Sequence, residues 1–105
     1  MNSCDQSLYQ NTPAGMGTGT YHVQMDYWVD AISSGGTLEL DLMVDGNVIW
    51  TLPIPGGAPF HSEGNAVGGN YVKAMSGGIE VRVRLHGSFN ARTWVAIDNV
   101  SLKLV

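Results

Sequence analysis

Three stretches of the chain alternate apolar and polar residues with a period of two, and nothing else in the sequence constrains the fold as tightly. In residues 20–31, Tyr21, Val23, Met25, Tyr27 and Val29 fall on one side, and His22, Gln24, Asp26, Trp28 and Asp30 on the other. In residues 37–45, Leu38, Leu40, Leu42 and Val44 oppose Glu39, Asp41, Met43 and Asp45. In residues 78–86, Ile79, Val81, Val83 and Leu85 oppose Glu80, Arg82, Arg84 and His86. A helical period would scatter these apolar positions around its circumference, so each stretch reads as a half-buried strand. Apolar residues confined to one side favour antiparallel pairing, because parallel sheets are covered on both faces. Residues 93–105 form a fourth such segment, and shorter strands are expected at residues 7–11 and 70–75.

The turns agree with this reading. Asp45-Gly46-Asn47 separates two apolar runs as a hairpin of two or three loop residues, which leaves the face of Trp50 open. Residues 33–36 and 76–78 are Ser/Gly clusters. Pro53, Pro55 and Pro59 predict an irregular loop that continues to about Gly69, and long loops in small domains are often functional. The expectation is one all-β domain over residues 1–105, an antiparallel two-sheet sandwich of about seven or eight strands with no significant helix.

Composition sets further bounds. A hydrophobic fraction of 44% supplies a core, while 14 glycines and only 13% charged residues suit short strands and tight turns better than helices. Five Lys and Arg against nine Asp and Glu, a net charge of −4, cannot form the basic stripe that nucleic acid requires. No apolar run approaches the ~20 residues of a membrane helix, so no membrane partner is expected. Cys4 is the single cysteine, which excludes an intramolecular disulfide and reads as a free thiol. Residues 1–6 carry neither a basic nor an apolar leader region, so no export signal is visible.

The last third of the chain, Ile79 through Leu85 followed by Trp94-Val95-Ala96-Ile97-Asp98-Asn99-Val100-Ser101-Leu102, resembles the closing strand pair of jelly-roll carbohydrate-binding modules. The likeness is to the broad group around families 4, 9, 16 and 22. Leu8-Tyr9-Gln10 and Gly19-Thr20-Tyr21-His22-Val23-Gln24-Met25 resemble an earlier strand pair of that group, and Val44-Asp45-Gly46 and Asn70-Tyr71-Val72 follow in the expected order. The resemblance implies a jelly roll, a lectin-like carbohydrate partner and an extracellular setting. It also implies a structural Ca²⁺ at Asp98, although the usual N-terminal ligands are missing. The first strands of such modules are missing too, which implies either that residues 1–18 substitute for them or that a homo-oligomer covers an exposed sheet edge.

Binding through such a fold needs aromatic rings to stack on sugar faces and polar side chains to bond the hydroxyls. Trp28 stands out because it lies on the polar side of its strand with Gln24 and Asp26, where an indole has no core to fill. It reads either as a ligand platform or as an edge residue covered by a loop or a partner. Arg82 and Arg84 would join that surface if their strand shares its sheet; otherwise they pair with Glu39, Asp41 or Glu80. Trp50 is a further candidate, and Phe60 and His61 either grip a ligand from the long loop or anchor that loop to the core. Trp94 reads as core or rim ahead of a ligand platform. No catalytic residue is nominated. His22, His61 and His86 have no metal-ligand spacing, Gly15 to Gly19 leads into a strand rather than a helix, and His61 with Glu63 reads as a surface pair. The expected function is therefore non-catalytic carbohydrate binding, with a structural or adhesive protein-interaction domain as the alternative.

Overall fold

The computed structural model describes residues 2–12, 15–56 and 59–105. Five strands form, all antiparallel: β1 (Asn2–Asn11), β2 (Gly19–Val44), β3 (Asn47–Pro55), β4 (Phe60–Lys73) and β5 (Glu80–Leu104). At about 3.3 Å per residue, the 26 residues of β2 would reach roughly 86 Å, yet the molecule's longest dimension is 46 Å. The reason is that β2 and β5, paired along almost their whole lengths, fold over together as one ribbon. The corner lies where their register slips between Ser33 and Gly36, with Gly36 at φ 87° and Gly87 at φ 137°. Only glycine adopts such angles without strain, so the Gly-rich corner is what lets a single ribbon serve two layers.

Folding the ribbon creates a β-sandwich of seven strand segments in two sheets. One sheet runs β1, the first half of β5, the second half of β2, then β3; the other runs the second half of β5, the first half of β2, then β4. The apolar sides meet between them. Tyr21, Val23, Met25, Val29 and Ala31 pack from one sheet, and Leu38, Leu40, Leu42, Val44, Ile54 and Val83 from the other. Apart from Ile54, which reads from the sequence as part of a loop, these positions belong to the alternating segments read from the sequence.

Two expectations need correction. The irregular loop expected over residues 53–69 is replaced by strand at both ends, because β3 extends to Pro55 and β4 runs from Phe60; Gly57 and Ala58 lie outside the described residues. Pro53 and Pro55 are two apart and therefore face the same side of an edge strand. Their absent N–H groups are those that would point away from β2, so they cost no ladder bond and blunt an open edge. The N-terminal strand is also longer than residues 7–11. Asn2–Asn11 pair with β5 from Phe89 to Glu80, so this segment does cover that edge, as the first of the two alternatives required. The Asp45-Gly46 turn has two residues, both at positive φ (48° and 81°), which matches the right-handed twist of its strands.

Candidate functional site

The outer face of the three-stranded sheet carries the two exposed tryptophans, Trp28 and Trp94. Trp28 on β2 sits opposite Glu63 of β4 and Ala96 of β5, and Asp30 sits opposite His61 and Trp94. Trp28 and Trp94 are therefore diagonal neighbours on adjacent strands, 38% and 47% exposed. The His61 ring meets Trp28 edge-on, with centroids 5.5 Å apart and planes at 68°. A solvent-open concavity of about 510 Å³ beside the indole is lined by Asp26, Trp28, Glu63, Asn65, Ala96 and Asp98. Trp28 thus presents an exposed apolar ring at a carboxylate-lined hollow, with Trp94 beside it on the next strand.

Asp26 shapes this hollow from below. Each neighbouring strand bulges beside it, β4 at Asn65–Ala66 and β5 at Asn99–Val100. Each bulge holds a non-glycine residue at positive φ, Ala66 at 54° and Asn99 at 52°. The Asp26 carboxylate accepts the Ala66 N–H at 2.8 Å on one oxygen and the Asn99 Nδ2–H at 2.7 Å on the other. The Asn99 amide, and then the Ala66 N–H, hold its carboxyl below the ordinary value of 3.8. Asp26 is thus a staple for two strained bulges, and its role at the surface is to position rather than to reach outward. Gln24 lies one step farther along the same face, opposite Gly68 and Ser101, and half-buried.

The remaining expected residues are dispersed. Arg82 and Arg84 lie on the outer face of the other sheet, across the sandwich from Trp28, because β5 changes sheets at the corner. Arg82 pairs with Glu80 at 2.9 Å and lies over the Tyr9 ring at 4.6 Å; Arg84 grips Asp5 with two bonds of 2.9 and 3.0 Å. Trp50 is turned inward. One extra residue in β3 at Ile49 shifts the register so that Trp50 opposes Leu42, and its ring packs on Tyr27 at 4.9 Å. Phe60, opposite Ala31, packs against the core, whereas His61 is exposed on β4 and 3.6 Å from Glu63. Asp98 accepts the N–H of Asn99 at 2.8 Å, a local bond at its own bulge.

Trp94, which reads from the sequence as core or rim ahead of a ligand platform, is exposed on the Trp28 face. Its parity with Ala96 and Asp98, against Val95 and Ile97, carries the signal that it faces outward. A cluster on the opposite face was missed: His86 Nε2 lies 2.8 Å from Asp41 Oδ2 and 3.0 Å from Glu39 Oε2. Among the described residues this is the one group that brings three His, Asp or Glu donor atoms within 4.8 Å of one another, and Asp98 is not part of it. Compared with protein-family models, curated proteins and solved structures, the chain matches none of them.

Proposed function

We propose that the domain is a non-catalytic carbohydrate-binding module whose platform is the outer face of the three-stranded sheet, centred on Trp28 and Trp94. The observation that carries this reading is the pair of exposed indoles on neighbouring strands, flanked by Asp30, His61 and Glu63. Indole faces supply apolar area at low entropic cost for the C–H faces of pyranose rings, while carboxylates and imidazole accept and donate to the hydroxyls around them. Because the platform lies on strands, it is preorganised, and the ligand pays little to order it. Two stacking residues set diagonally suit a poly- or oligosaccharide chain over a single sugar.

The test is isothermal titration with a panel of soluble polysaccharides, followed by Trp28→Ala and Trp94→Ala on any ligand found. The proposal expects each variant to lose about tenfold or more in affinity, about 1.4 kcal/mol. Binding that survives both substitutions places the ligand elsewhere.

One observation favours the alternative, a protein-interaction domain completed by a second copy. The four-stranded sheet overhangs the three-stranded one at β1, so Leu8 is 69% exposed above an apolar groove of about 420 Å³ that also holds Val83, Val100 and Leu102. Residues 93–104 of β5 have β2 on one side and, among the described residues, no partner strand on the other. A second copy would present the same edge antiparallel across a two-fold axis, each backbone satisfying the other. Light scattering after size exclusion decides it. A dimer that Leu102→Lys dissociates supports this reading, and a monomer at high micromolar concentration removes it.

A further inference from the structure

We propose that Glu39, Asp41 and His86 bind a divalent transition-metal ion of the zinc class on the outer face of the four-stranded sheet, away from the tryptophan platform. Three adjacent strands build the site. Glu39 of β2 lies directly opposite His86 of β5, Asp41 follows two residues on along the same face, and Thr51 of β3 lies opposite Asp41. Mid-strand positions in a paired sheet hold their side chains more firmly than a loop does.

Asp41 is the anchor. Its side chain is 3% exposed on what is otherwise a solvent-facing surface. Thr51 Oγ1 donates to its Oδ1 at 2.6 Å, which fixes the carboxylate and turns Oδ2 toward His86. This is how an outer-shell hydroxyl commonly orients a ligating carboxylate. Glu39 and His86 are 45% and 27% exposed, so an ion can enter from solvent and keep water in its remaining positions.

The donor arithmetic favours an ion over a proton. One imidazole nitrogen, Nε2, faces two carboxylate oxygens at 2.8 and 3.0 Å, and it carries at most one hydrogen to share between them. Arg84, the other cation nearby and opposite Asp41, acts on both carboxylates through its charge but gives its two-bond pair to Asp5. A divalent ion bound by all three donors satisfies both carboxylates and neutralises their charge. Ligand bonds of about 2.0–2.2 Å would set the imidazole nitrogen a few tenths of an ångström farther from each carboxylate oxygen than it now stands, a change that the half-buried Glu39 and His86 side chains can absorb. The mixed nitrogen and oxygen set points to zinc, cobalt or manganese, since calcium requires six to eight oxygens.

The experiment titrates ZnCl₂ into the EDTA-stripped, tag-free chain by calorimetry, with CoCl₂ absorbance as a spectroscopic reporter. The expected result is one Zn²⁺ per chain and a Co²⁺ visible band. Both should weaken at least tenfold in His86→Gln, with fold checked by circular dichroism, and be unchanged in His61→Gln. The absence of saturable Zn²⁺ binding would overturn the assignment. So would binding that His86→Gln leaves intact, because the ion would then lie on other residues.

Discussion

Replacing Asp45 with Asn should remove a large share of the domain's stability while leaving its turn intact. Asp45 occupies the first turn position at φ 48°, a conformation that Asn tolerates as well as Asp. Its carboxylate accepts the Glu80 N–H at 2.8 Å and the Tyr71 hydroxyl at 2.9 Å, and stands 3.5 Å from Lys73 Nζ. One side chain therefore ties the β2–β3 turn to β4 and β5. Hydrogen bonds to a charged group contribute about 1.5–3 kcal/mol each; Asn keeps one of them, and Lys73, itself 9% exposed, keeps the Gly78 carbonyl. The expected loss is about 2–3 kcal/mol at pH 7, or roughly 10–20 °C in Tm for a domain near this size. Burial pushes the Asp45 carboxyl up, but the Glu80 N–H, the Tyr71 hydroxyl and Lys73 together outweigh it and hold the group below 3.8. A carboxyl lowered by folding contributes fully above its unfolded value and loses that contribution as pH falls through its folded one. Urea unfolding followed by tryptophan fluorescence should thus show a constant gap between wild type and variant from pH 7 to about 5, closing below about 4. A gap under about 0.5 kcal/mol at pH 7, or one unchanged at pH 2, would refute the reasoning.

Trp50→Ala should cost about 2–4 kcal/mol in urea unfolding and Trp28→Ala less than about 0.5, since the first opens a void against Tyr27 and the second strips a surface. Gly87→Ala places a Cβ against the Thr37 carbonyl oxygen at φ 137° and should cost about 3 kcal/mol or more, read as lost soluble expression or a collapsed Tm. Asp26→Ala should lower Tm and speed amide exchange at Ala66 and Asn99, because it releases both bulges; unchanged exchange there would remove its stapling role.

Sequence alternation encodes part of this fold and is blind to the rest. Period two marks which residues of β2 and β5 face inward, and those residues do form the core. It cannot mark where a ribbon changes sheets, so it leaves open whether Arg82 and Arg84 join Trp28 or pair with carboxylates on another face; the corner at Gly87 puts them on the opposite face, where Arg82 pairs with Glu80. Nor can it see a bulge, and the single extra residue at Ile49 turned Trp50 inward. Residues 53–69 read as loop because prolines and glycines are breakers. In the fold Pro53 and Pro55 line an edge, and Gly64 and Gly68 make room for the neighbouring strand β2: a Cβ on Gly64 would strike the Tyr27 ring, and one on Gly68 the Val23 carbonyl. The Glu39–Asp41–His86 cluster needs cross-strand register, which no single strand carries.

The platform itself is tested most directly by the three indole N–H signals in a proton–nitrogen correlation spectrum. On titration with a soluble polysaccharide that binds, Trp28 and Trp94 should shift together and saturate at one affinity while Trp50 stays still. Shifts confined to Trp50, or to the arginine side chains of the opposite sheet, would contradict a carbohydrate site on this face.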